Sequence, residues 1–127
     1  MKPTLSLLPL GLLLALPAAA HHSGSAFDRT KSVSVVGKVS AIEWTSPHAR
    51  LYVDTKDESG ATVRWDFELP SPVTLTRRGW TKSSLPIGDE VTVTGAPARE
   101  HDLIAIATGV IDKTGRRLFG ADANSTE

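Results

Sequence analysis

Between Val33 and Trp44 the apolar residues alternate with polar ones and then slip by one place. Val33, Val35, Gly37, Val39 and Ala41 share one face, Ser34, Lys38 and Ser40 the other, and the apolar set then moves to Ile42 and Trp44. Strict alternation is the pattern of a half-buried β-strand. A phase slip beside a strand glycine predicts a bulge or bend, which lets one long strand serve two sides of a closed sheet.

The chain after this strand repeats the period. Ala49, Leu51 and Val53 face one way, with Arg50, Tyr52 and Asp54 opposite. Val63, Trp65, Phe67 and Leu69 then face inward, with Arg64, Asp66 and Glu68 outward. Asp57-Glu58-Ser59-Gly60 between them is turn chemistry, so the two strands form a hairpin. Ser71-Pro72 reads as an N-cap followed by proline at the first helical position, and Gly79 supplies a left-handed stop. A two-turn helix over about Pro72 to Arg78 is expected. Val91 to Gly95 is a fourth strand, and Leu103 to Ile111 a fifth, apolar on both faces and therefore central or shared between sheets. After the Asp112-Lys113-Thr114-Gly115 turn, Arg117-Leu118-Phe119 can return as a short closing strand.

Three strands, a short helix and two strands, with a bent first strand, predict an all-β fold. The expected architecture is a small OB-like five-stranded antiparallel barrel with one short helix between strands 3 and 4. A small antiparallel sandwich is the other architecture this pattern allows. The barrel is assigned to residues 32–119, after an arm at 21–31 that Phe27 can pin to the body. Residues 120–127 are small and polar and are expected to be a disordered tail.

Residues 1–20 are read as a cleaved signal peptide. Lys2 is followed by an apolar run from Leu5 to Leu16 and then by Pro17-Ala18-Ala19-Ala20, a small-x-small cleavage signal. The run is shorter than the ~20 residues that a membrane-spanning helix needs. Cleavage after Ala20 makes His21 the N-terminus of a periplasmic chain with no membrane insertion. The full sequence has 14 basic and 14 acidic residues, and loss of Lys2 leaves one negative charge in excess. Such a balance offers no electrostatic footprint for nucleic acid. The absence of cysteine excludes disulfides, thiolate metal sites and thiol catalysis.

The candidate chemistry therefore falls on histidines. An N-terminal His21 can chelate Cu(II) through its amine and its own Nδ1, and another imidazole completes a planar three-nitrogen site of the kind Cu(II) favours. The metal ligands expected are His21, His22 and His48, with His48, in Ser46-Pro47-His48, as the distal one. Cleavage after Ala19 instead puts histidine third and allows an amine–amide–imidazole wrap of Cu(II) or Ni(II). The same residues also read as a solvated chain start and a loop hydrogen bond. A zinc site using Glu43 or Glu68 is conceivable, but no closely spaced ligand pair supports it. His101 lies in a charged turn and reads as a surface residue.

Trp44, Arg77, Arg78 and Trp80 are the candidates for binding a small ligand or a periplasmic protein. Trp44 and Trp80 flank loops and can line a pocket, or wedge the barrel ends shut. Arg77-Arg78 can clamp an anion, or favour the carboxyl end of the helix electrostatically. No strained serine elbow, His-Asp spacing or glycine-rich phosphate loop is present, so nothing in the sequence argues for an enzyme. A copper oxidase or monooxygenase is the remote enzymatic alternative.

His21-His22-Ser23, Val36-Gly37-Lys38-Val39, Glu43-Trp44 and Ser46-Pro47-His48 together resemble a family of small exported bacterial proteins of unknown function. The resemblance continues through Tyr52-Val53-Asp54, Trp65-Asp66-Phe67-Glu68, Ser71-Pro72, Arg77-Arg78-Gly79-Trp80 and Gly88-Asp89-Glu90-Val91. It implies an OB-like periplasmic domain in which the His pair, His48 and the Arg-Arg-Gly-Trp segment belong to the family pattern. Members typically carry Asn-Pro-His where this chain has Ser46-Pro47-His48, a departure that keeps the imidazole. Two functions follow as expectations: a copper-binding module, or a metal-free interaction module that uses the barrel face or the Trp80 end.

Overall fold

The computed structural model describes residues 26–119; residues 1–25, which include the expected signal peptide, His21 and His22, and residues 120–127, expected to be a tail, lie outside the described residues. The elements run β1 (Val33–Glu43), β2 (Arg50–Lys56), β3 (Thr62–Glu68), α1 (Pro72–Arg77), β4 (Glu90–Pro97), β5 (Ile104–Asp112) and β6 (Arg117–Phe119). No helix among the described residues is long and apolar enough to cross a membrane.

The strands hydrogen-bond in the order β3-β2-β1-β4-β5-β6, and β3 also pairs with β5. That last pairing closes β1–β5 into a five-stranded barrel, and β6 is a hairpin extension of β5. Neighbours are antiparallel except for the closing β3–β5 pair, which is parallel, with Asp66 opposite Ile104 and Glu68 opposite Ile106. The fold is thus the OB-like barrel with one short helix between strands 3 and 4.

β1 bends as its phase slip requires. Its lower part pairs with β4 (Val33 opposite Gly95 through Lys38 opposite Glu90), and its upper part with β2. The register shifts between Val39 and Ala41, so Ser40 is the extra residue. Val35 and Val39 are core residues before the bulge, while Ile42 and Trp44 pack against the core after it. Gly37 is required where the strand passes β2, because a Cβ there would land on the Asp54 carbonyl oxygen and the Val53 side chain.

The inward phase of the β2–β3 hairpin supplies Leu51, Val53 and Phe67, all fully buried, and Trp65 stacks on Phe67 with ring centroids 5.6 Å apart. The hairpin turn and the β5–β6 turn use one device. Asp57 Oδ1 accepts from the backbone amides of Ser59 and Ala61, and Asp112 Oδ1 accepts from those of Thr114 and Arg116.

The segment between β3 and β4 plugs one end of the barrel. Ser71 caps α1 by accepting from the Thr74 amide at 3.2 Å, and Pro72 occupies the first turn. Gly79 adopts φ +86°, which turns the chain so that the Trp80 amide donates to the Leu75 carbonyl at 3.0 Å. Leu75, Trp80 and Leu85 then enter the core. The Trp80 indole N–H donates to the Leu118 carbonyl at 2.6 Å, tying the plug to β6.

At the other margin the arm lies against the β4–β5 connection. Phe27 is 5% exposed and bridges Ala98 in antiparallel fashion, while the Asp28 amide donates to Pro97 O and the Arg99 amide to Ala26 O. Phe27 belongs to no part of the main core cluster, so the arm is held by a small satellite contact.

Candidate functional site

The outward residues of β1, β2 and β3 form cross-strand rows near the β1–β2 loop. Glu43 is opposite Arg50, and Arg50 is opposite Glu68; in the next row Tyr52 is opposite Asp66. This is the barrel face between the β1–β2 and β4–β5 loops, the surface on which OB folds hold their ligands.

Arg50 grips Asp66 with two nitrogens, Nε at 2.9 Å and Nη2 at 2.7 Å. The Asp66 hydrogen bond raises the guanidinium's pKa further above its usual value. Burial raises the Tyr52 phenol above its ordinary range, and the charges of Asp66 and Glu43, which also accepts its hydrogen bond, add to the effect. One row below, Arg64 pairs with Asp54 at 2.7 Å, and that hydrogen bond holds the Asp54 carboxyl below its usual value. Each arginine on β2 and β3 is thus matched by an aspartate. Glu43 and Glu68 are left to make the loop end of the face acidic.

His48 stands at this end. It closes the β1–β2 loop immediately before Ala49, after a cis Ser46–Pro47 peptide. Its Nδ1 lies 3.3 Å from the Leu69 carbonyl and 3.5 Å from Glu68 Oε1, and its side chain is 39% exposed. Leu69 is held beside the loop by its amide, which donates to the Ala49 carbonyl at 2.9 Å. Across the face, a cleft of about 520 Å³ is lined by Ala26, Phe27, Arg50, His101 and Ile104, among others. Leu103, in the β4–β5 loop, has φ +61°, a left-handed conformation unusual for a bulky residue, and its carbonyl accepts from the Asp66 amide at 2.9 Å. The loop is thereby stitched to the strand that carries Asp66 and Glu68.

The residues singled out from the sequence separate into different regions. His48 is on the acidic end of the OB face, and His101 is exposed in the cleft wall. His21 and His22 lie outside the described residues. Among the described residues no three histidine or carboxylate side chains converge as a metal cluster. Trp44 is half-buried against the core. Arg77 and Arg78 are exposed at the end of α1. Trp80 is 2% exposed with its indole N–H committed to Leu118, so it seals the barrel end and presents no ligand surface.

Sequence reasoning missed two features. The Arg50–Asp66 clamp is diagonal across the hairpin, and its signal is opposite charges in the outward phase of two paired strands. Glu68 shares that outward phase, yet it is only 8% exposed. Alternation assigns a residue to a face of the sheet and says nothing about what covers that face.

The fold and this face define an OB-like β-barrel domain. The chain belongs to the family of unknown function DUF6152, whose model matches residues 11–107. No curated protein matches it. Among solved structures it is similar to the mitochondrial single-stranded DNA binding protein Rim1 of S. cerevisiae, at 14% identity and a TM-score of 0.50. The similarity covers 65% of this chain and 94% of that one. At that identity the likeness speaks for the fold alone.

Proposed function

We propose that this domain is an exported periplasmic module that binds Cu(II) through a processed N-terminal His21, with His48 as the distal ligand and His22 in support. The observation that carries the reading is that the described start of the arm borders the beginning of β2, the strand that follows His48. Ala26 lines the same cleft as Arg50, and Arg50 is two residues from His48 and directly opposite Glu68. Ala26 is five residue steps beyond His21, which can span about 17 Å when extended. His48 offers a neutral-nitrogen ligand there, because an Nδ1 that faces two acceptors leaves the Nε2 lone pair for a metal. The acidic excess of Glu43 and Glu68 favours a cation.

The same charge distribution argues against nucleic acid, whose phosphates need unpaired lysine or arginine. The aromatic rings of the β2–β3 hairpin support this view. Trp65 and Phe67 pack on each other and against the core, leaving Tyr52 as the only ring in the outward rows.

The test is Cu(II) titration of protein processed by its host, with the N-terminus verified by mass spectrometry. One-to-one binding that is lost in His21→Ala, weakened in His48→Ala and abolished by one added N-terminal methionine sustains the reading. Binding no tighter than that of a peptide bearing residues 21–27 overturns it.

A metal-free interaction module is the second reading. Val73 and Arg77 lie four residues apart on the exposed side of α1, and Val73 is among the most exposed large apolar residues. That reading expects indifference to the added methionine and loss of partner capture in Arg77→Glu.

A further inference from the structure

Glu68 is the one buried charged residue in the described part of the chain. Its Oε1 is enclosed and has no hydrogen-bond donor. Buried carboxylate oxygens are almost always paired, so an orphan marks either a functional group or a site awaiting its partner. Arg50 is the cross-strand neighbour of Glu68, but the hydrogen bonds of its Nε and Nη2 go to Asp66. His48 Nδ1, at 3.5 Å, is the donor left facing Glu68 Oε1.

The other neighbour of Nδ1 is also an acceptor, the Leu69 carbonyl at 3.3 Å. A lone pair on Nδ1 would be repelled by both oxygens. The imidazole proton therefore belongs on Nδ1, donated toward them, and Nε2 keeps its lone pair, in a side chain that is 39% exposed. Metal-binding histidines are commonly held this way, with the non-ligating N–H on a carboxylate or a backbone carbonyl.

We infer that Glu68 is the positioning carboxylate of the His48 metal ligand: facing Nδ1 beside the Leu69 carbonyl that takes its hydrogen bond, it favours the Nδ1–H tautomer and raises the electron density at Nε2. This rests on the copper reading above and deepens it. A cation on Nε2 makes the Nδ1–H more acidic and draws it onto Oε1, so the loose 3.5 Å contact becomes the partner that the buried oxygen lacks.

Two measurements on the processed chain test this separately from copper binding itself. Imidazole ¹⁵N NMR of the metal-free protein should show His48 protonated at Nδ1. Glu68→Leu should shift part of the population to the Nε2–H form; Glu68→Met, which also removes the acceptor, serves if the leucine variant does not fold. Cu(II) titration against a competing chelator should show Glu68→Gln weakening binding by about 10–100-fold, with a changed copper EPR hyperfine coupling. In a His48→Ala background the same substitution should change affinity less than about twofold, because the carboxylate acts through the imidazole.

An equal loss with and without His48 makes Glu68 an independent contributor and overturns the inference. So does a wild-type His48 protonated at Nε2. If the wild-type protein fails to bind Cu(II) beyond the peptide control, the copper reading falls, and the tautomer measurement still decides whether Glu68 orients His48.

Discussion

Phe27→Ala tests the link between the arm and the barrel. Phe27 is 5% exposed, but it lies outside the main core cluster, on a segment fixed by the Asp28–Pro97 and Arg99–Ala26 backbone bonds. Truncating a phenylalanine in a rigid core costs about 3–5 kcal/mol, part of which is the cavity left behind. A peripheral arm can peel away instead of enclosing a cavity. The loss is then limited to the transfer free energy of the side chain, about 1.5–3 kcal/mol. We expect about 2 kcal/mol by urea denaturation, and a melting temperature lower by roughly 10 °C for a domain of this size.

Amide exchange should show the loss to be local. The Asp28 and Arg99 amides should lose protection while the Leu51 and Val93 amides keep theirs. Detachment up to β1 also lengthens the tether between His21 and the barrel from about five residues to about twelve. If the proposed copper site is right, the effective concentration of His21 at His48 falls as roughly the −3/2 power of that length, and copper affinity should drop at least ~3-fold. A stability loss below about 0.5 kcal/mol, with Arg99 still protected, would refute the claim that Phe27 holds the arm.

Three further outcomes follow from the same contacts. Gly37→Ala forces a methyl onto the Asp54 carbonyl oxygen and the Val53 side chain, so it should cost about 1–3 kcal/mol in urea unfolding and loosen the β1–β2 amides. Trp80→Phe leaves the Leu118 carbonyl without its donor and underfills the barrel end; about 1–3 kcal/mol is expected, with exchange increased in β6 before the rest of the sheet. The turn aspartates Asp57 and Asp112 have lowered pKa values, chiefly through side-chain hydrogen bonds from Ser59 and Thr114. Their contribution is complete above the unfolded carboxyl value of about 4 and is lost as pH falls through the lower folded values. Melting temperature should therefore hold steady down to about pH 4 and fall below it, and the fall should be shallower in a Asp57→Ala/Asp112→Ala variant.

The elements themselves are dictated locally. Alternation over Val33–Ala41 and its slip at Ile42 encode a bulged strand, because side chains of an extended chain point to alternate faces whatever surrounds them. Ser71-Pro72 and Gly79 bracket α1 through their own backbone chemistry. The Asp-x-Ser/Thr-Gly sequences at Asp57 and Asp112 build turns from hydrogen bonds within five residues. The barrel class was legible too, since three strands, a helix and two strands with a bent first strand match an OB-like barrel.

What only the tertiary structure decided is what covers the other face. The parallel β3–β5 pairing joins residues nearly forty positions apart and brings the β4–β5 loop beside β3. The plug turns Trp80 from a loop aromatic into a core residue bonded to Leu118. Glu68 has the same outward phase as Arg64, yet Glu68 is buried beside His48 while the Arg64 side chain is 58% exposed. Sequence period fixes the direction of a side chain; burial and partnership depend on long-range contacts, and among the described residues those leave Glu68 Oε1 buried without a donor beside His48.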